Sequence, residues 1–161
     1  MSKIESHPSS DDPPRVLVVG LGVAGATLAW QLMWRGAGVW VVDPRDPNTT
    51  SRAAAGLITP ITGKGMAMSW RFPELWARGL KFYQQLAAET GEEVFHACPT
   101  VRLFASAAEA RKLQRRIDAG GDYLGFVAGV FGEDALPDVL AGQDVCAPHG
   151  GFVMKGGGWV R

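Results

Sequence analysis

The chain has 161 residues, 47% of them hydrophobic and 20% charged, with 16 Lys and Arg against 16 Asp and Glu. This is globular composition, and a formally neutral chain without a basic block gives a nucleic acid or an anionic membrane nothing to grip. Two cysteines, Cys98 and Cys146, are too few for a disulfide framework and too far apart for a CxxC pair, so no metal site and a reducing, cytoplasmic setting are expected.

Residues 1–14, MSKIESHPSSDDPP, are polar and rich in Pro and Ser and lack an apolar run; they read as a disordered tail, not a signal peptide. Arg15 to Gly20 is a short β-branched run suited to a strand buried on both faces. Val23 to Arg35 reads as a helix stopped by Gly36 to Gly38. Val39 to Asp43 is a second buried-type strand, ended by Pro44. Strand, glycine turn, helix and strand make a βαβ unit, the opening of a Rossmann-like parallel sheet. A rival reading exists. Val16 to Trp34 carries no charge, and as one helix it would be about 28 Å long, close to a bilayer core. Three glycines and a change of period inside that stretch argue against stable membrane insertion.

Residues 44–69, rich in Pro, Thr, Gly and Ser, show no periodicity and are expected to be a long functional loop. Pro73 to Glu89 reads as a helix closed by Gly91, and Thr100 to Ala105 as a half-buried strand. Ser106 and Glu109 have capping-box spacing at the head of an exposed basic helix reaching Asp118. Residues 119–150 are broken by Gly and Pro. Gly150 to Val160 suggests a hairpin turning through Gly156–Gly158.

The pattern Gly20-Leu-Gly22-Val-Ala-Gly25 directly follows a strand and opens a helix, which is where a GxGxxG acquires meaning. Gly20 permits the tight turn, Gly22 lets a diphosphate approach the backbone, and Gly25 lets helix and strand pack closely. The helix N-terminus offers free N–H groups and a positive dipole end. Asp43 ends the second strand, placed to accept hydrogen bonds from ribose hydroxyls. A carboxylate there also disfavours a 2′-phosphate, and so NADP. The bland alternative is a βαβ turn that binds no nucleotide. Downstream, Thr49 to Pro60 is a run of small residues around Gly56, open to backbone contact with a flat ligand or phosphate, or simply a flexible surface loop.

GLGVAGATLAWQL, VVD and TTSRAAAGLITP, followed by FPELWARGLKFYQQL, together resemble the N-terminal part of FAD-dependent oxidoreductases of the glycine oxidase/D-amino acid oxidase family. The likeness runs from about Val16 to Glu89 and more loosely to GGFVMKGGGWV. It implies FAD as cofactor and an amine or amino acid as substrate. By position, Gly20, Gly22, Val23, Ala24 and Gly25 would line the diphosphate, and Asp43 and Pro44 would lie at the adenosine ribose. Thr50, Ser51, Ala55, Gly56 and Leu57 would meet the pyrophosphate–flavin side. The family more often has Glu at the ribose position, so Asp43 keeps the charge on a shorter arm. Arg52 could pair with phosphate or substrate, or be a solvated loop charge.

The resemblance also implies an incomplete copy, since the family fold is about twice this long. The expected organisation is a tail at 1–14, part of the FAD-binding domain at 15–92, the beginning of an α+β substrate domain at 93–150, and a return toward the FAD-binding domain at 151–161. The apolar edge of the two parallel strands should be incompletely covered. No acid, base or nucleophile stands out as catalytic. His96 and His149 read as satisfied surface or core residues, and the six tryptophans as packing residues. Two alternatives remain beside an FAD-dependent oxidoreductase: a non-catalytic nucleotide-binding remnant, and an NAD-binding oxidoreductase. The oligomeric state is not legible.

Overall fold

A computed structural model describes residues 13–161, so the expected tail lies almost wholly outside the described residues. The chain forms two compact units that divide between Ala54 and Ala55.

In the first unit, β1 (Arg15–Val19) and β2 (Gly38–Val42) run parallel with Arg15 opposite Gly38 and Val19 opposite Val42. Between them comes α1 (Val23–Met33), and a short α2 (Thr50–Ala53) follows. This is the anticipated βαβ unit. The 19-residue uncharged stretch is therefore a strand, a turn and an 11-residue helix. Among the described residues no helix is long and apolar enough to cross a membrane. The helix ends at Met33, two residues before the expected Arg35, whose guanidinium folds back onto the Gln31 carbonyl at 2.9 Å. Gly36 takes a positive φ of 78°, which closes the end.

Alternation places Val16 and Val18 of β1 on one face and Leu17 and Val19 on the other. Val18 is buried, as is Ala29 of α1. On the opposite face Leu17, Val19, Trp40 and Val42 are all more than half exposed. The sequence is apolar on both faces, as a parallel strand pair requires, and one of those faces is open here.

The second unit is antiparallel. Residues 44–69, expected to lack structure, contain α2 and then β3 (Leu57–Ile58), β4 (Ile61–Thr62) and β5 (Ala67–Met68). They are followed by α3 (Phe72–Thr90), β6 (Phe95–Ala97), β7 (Thr100–Leu103) and α4 (Ala107–Asp118). The stretch 119–150 holds α5 (Tyr123–Phe126), β8 (Val127–Phe131) and a 3₁₀ turn at Asp138–Leu140. β9 (Gly151–Met154) and β10 (Gly158–Val160) close the unit.

The expected hairpin between those last two strands does not form. β9 is the centre of β7-β9-β8, whereas β10 is the centre of β3-β10-β6. The glycines between them are spacers, not a turn. A Cβ on Gly157 would stand 2.4 Å from the Ile58 carbonyl oxygen, and one on Gly158 2.2 Å from that of His96. They let one strand leave a sheet and enter another at backbone contact distance.

The core of this unit joins Ile61, Met66, Phe104, Leu113, Phe152 and Met154. Ser106 caps α4 by accepting the Glu109 N–H, and Glu109 accepts the Ala105 N–H at 3.1 Å, one residue earlier than a strict capping box. The helix is basic on its outer side, yet it buries Leu113 and Glu109, the latter 3.7 Å from Arg102.

Candidate cofactor site

The first unit converges on the turn between β1 and α1. Gly20 has φ +94°, a left-handed value that favours glycine, and its N–H donates to the Val42 carbonyl at 2.8 Å, extending the ladder one residue. A Cβ on Gly25 would sit 1.9 Å from the Gly20 carbonyl oxygen and 3.4 Å from Val18. No side chain fits there, so Gly25 sets how closely α1 approaches β1.

Gly22 is the N-cap of α1 and has no side chain with which to cap. Its place is taken from elsewhere: the Ser51 hydroxyl accepts the Val23 N–H at 3.0 Å, and a Cβ on Gly22 would meet that oxygen at 3.0 Å. The Ala26 N–H donates to the Gly22 carbonyl. The N–H groups of Ala24 and Gly25 are left without an acceptor inside the helix, as the first turn of any helix requires. No acidic side chain lies in that first turn. The positive end of the helix is thus open to an anion, and the Ser51 oxygen that accepts from Val23 keeps its own O–H to donate.

Asp43 closes the turn from the other strand. One carboxylate oxygen accepts the Leu21 N–H at 2.6 Å and the other accepts the Arg45 N–H at 2.7 Å. The Leu21 bond first, and the Arg45 bond next, hold the carboxyl below its ordinary value, with smaller help from the charges of Arg52 and Arg45. These bonds explain why β2 stops at Val42, one residue short of the expected end. Each oxygen retains lone-pair capacity, so the carboxylate can still receive hydroxyl donors.

The structure therefore brings together Gly20, Gly22, Val23, Gly25, Asp43 and Ser51 around one turn. Ala24 lies exposed in the first helical turn, Pro44 is exposed after Asp43, and Thr50 is exposed at the head of α2. Ala55, Gly56 and Leu57 belong to the second unit. There Gly56 has φ +67°, its carbonyl accepts the Val160 N–H at 2.9 Å, and a Cβ would lie 2.1 Å from the Val160 oxygen. Ala55 and Leu57 are exposed on either side of it. The reading from sequence missed the Leu21 amide and Arg45, whose φ of +57° turns its N–H back toward Asp43. An Asp accepting from the amide two residues on is an Asx-turn, so Asp43-Pro44-Arg45 carried a signal for it.

A family model described as FAD dependent oxidoreductase (DAO) matches residues 15–161. An uncharacterized oxidoreductase, YurR of Bacillus subtilis (strain 168), is 33% identical over 70 residues, which is 44% of this chain and 18% of that protein. The crystal structure of iminodiacetate oxidase from Chelativorans sp. BNC1 superposes with a TM-score of 0.59 at 23% identity, covering 89% of this chain and 40% of that one. That likeness is one of fold, and this chain spans less than half the length of the solved enzyme.

Proposed function

This chain belongs to the FAD-dependent oxidoreductase (DAO) family, and on that premise we propose that it forms the FAD-binding portion of an enzyme that oxidises an amine or amino acid at the carbon bearing nitrogen. The observation that carries the reading is the turn of residues 20–25. Its spare helical amides, and the open space beside Gly20, where an added Cβ would meet nothing within 4 Å, match a diphosphate in charge and shape. The solved oxidase of similar fold is named for iminodiacetate, a secondary amine carrying carboxylates, and this supports a nitrogen-bearing acid as the substrate class.

In this reading Gly20, Gly22, Val23, Ala24 and Gly25 line the diphosphate. Ala24 and Gly25 donate main-chain N–H groups to it, and Ser51 spans the Val23 amide and a phosphate oxygen. Asp43 and Pro44 lie at the adenosine ribose, where Asp43 accepts hydroxyl protons on the lone pairs that Leu21 and Arg45 leave free. Thr50, Ser51, Ala55, Gly56 and Leu57 serve the pyrophosphate–flavin side. When bound, FAD supplies the acceptor for the two electrons taken from the substrate carbon, chemistry that no side chain can supply. The residues themselves bind and orient.

Titration of the purified chain with FAD, ADP and NADH tests this. FAD and ADP are expected to bind, and Asp43→Asn to weaken both by roughly tenfold through loss of a charge-assisted acceptor. Anaerobic addition of amino acids or iminodiacetate should bleach the flavin absorbance of a longer polypeptide that joins this chain to the rest of the family fold, while the chain by itself is expected to be inactive. Preference for NADH over FAD overturns the cofactor assignment, and bound flavin that no amine bleaches in the longer polypeptide leaves binding without the proposed oxidation.

A further inference from the structure

The second unit distributes its charge unevenly. On α4, Arg111, Lys112, Arg115 and Arg116 are all exposed, as is Lys64 at the tip between β4 and β5. Two hydrogen bonds fix that tip to the helix: the Lys112 Nζ reaches the Lys64 carbonyl at 3.5 Å, and the Arg116 Nε donates to the Gly65 carbonyl at 3.0 Å. Five cations are thereby gathered on the outer side of α4. The acids of the same helix are already engaged. Glu109 is buried and lies 3.7 Å from Arg102, and Asp118 accepts from Gln114 at 2.7 Å. Among the described residues, none of the five cations is in an ion pair. The Arg116 guanidinium lies over the Tyr123 ring at 5.9 Å, and the next residue, Leu124, is exposed. An aliphatic side chain thus stands at the margin of the basic surface.

The opposite charge is collected in residues 132–150, where there is no Lys or Arg. Glu133, Asp134, Asp138 and Asp144 are exposed there, and among the described residues none of them is in an ion pair. Leu136 and Val139 are exposed between them. Folding in this segment is local. The Ala135 N–H donates to the Gly132 carbonyl, Leu140 to Pro137, Ala141 to Asp138 and Gln143 to Leu140. A chain of short turns therefore presents four carboxylates and two aliphatic side chains to solvent.

We propose that residues 133–144 of one copy dock on the α4 surface of a second copy, so that the protein associates with itself through opposite charges. Both surfaces have the make-up of a protein–protein contact, exposed aliphatic residues bordered by charges of one sign. The signs are complementary, and five cations against four carboxylates nearly balance. A nucleic acid would supply negative charge but no aliphatic group to meet Leu124. It would also be repelled by the carboxylates of the same unit. One surface of each sign per copy makes the contact head-to-tail. Neither surface includes a residue assigned to FAD, so cofactor binding is not a premise.

Sedimentation velocity of the full chain tests this. The mean mass should rise with protein concentration in dilute salt. Between about 0.01 and about 1 M salt the Debye length falls from about 30 to about 3 Å, and the association should weaken by at least about 10-fold. Two double variants reverse one surface each. Lys112→Glu with Arg115→Glu keeps the Arg116 bond to the tip between β4 and β5, and Glu133→Lys with Asp134→Lys acts in the turn after β8. Each alone should weaken self-association by about 10-fold or more, while an equimolar mixture of the two should restore it. If either fails to fold, Arg111→Glu or Asp144→Lys in its place carries the same comparison. A wild-type chain that stays monomeric in dilute salt overturns the inference. So does dependence on the basic residues alone, which would point to an anionic partner of another kind. Association that neither salt nor charge reversal weakens overturns it as well, and would place the attraction at the open face of β1 and β2, since apolar contact is not screened by salt.

Discussion

In the first unit only Val18 and Ala29 among the described hydrophobic residues are buried, whereas the second buries Ile61, Met66, Phe72, Phe82, Phe104, Leu113, Phe152 and Met154. The two regions are specified by different means. The first is held by main-chain constraints: a five-residue parallel ladder, a turn that only glycine can make, and a carboxylate that ties both ends of that turn together. The second is held by interlocking side chains around Phe152 and Leu113. A site that presents bare amides to a ligand cannot also cover them with side chains, so the weak packing there is in keeping with the cofactor role proposed for this turn.

The contrast can be broken first at Phe152, which has no exposed surface and stacks on Phe104 at 5.5 Å. Phe152→Ala should cost about 3–5 kcal/mol and strip amide-exchange protection from residues 100–154. Equal loss of protection across residues 15–54 would show that the two units do not differ as described. Next comes Gly25→Ala. The added Cβ would force α1 away from the Gly20 carbonyl, for about 1–3 kcal/mol, and lower protection in α1 and β1, with ligand affinity falling alongside. Retention of both would mean that close helix–strand approach is not what this glycine provides.

The smallest effect is that of acid on Asp43. Its folded value lies below the ordinary 3.8, so its ionised form adds stability that is complete above that value and is lost as pH falls through the folded value. Protection of the amides at residues 20–25, taken relative to the intrinsic exchange rate at each pH, should therefore fall below about pH 4, and Asp43→Asn should abolish that dependence. A wild-type turn indifferent to acid would show that the Leu21 and Arg45 bonds do not hold it.

The parts of the fold legible beforehand are those whose pattern is local. β1, α1, β2, α3 and α4 declared themselves through β-branched runs, helical spacing and caps, with ends misplaced by a residue or two where Asp43 and Arg35 used their own side chains. β3, β4 and β5 did not, because two residues cannot show a period, and their hydrogen-bond partners lie elsewhere in the chain. The Gly156–Gly158 run misled, since glycines that admit a neighbouring carbonyl read identically to glycines that turn. At the site, Gly20, Gly25 and Asp43 followed from spacing. The hydroxyl cap that Ser51 places over α1 crosses 28 residues and leaves no mark in any short window.

The open face of Leu17, Val19, Trp40 and Val42 has a consequence for handling the protein in concentrated solution. Two apolar strands without cover are a surface on which other molecules gain by adhering. Solubility will accordingly depend on what shields that face, and not only on how firmly the second unit's core is packed.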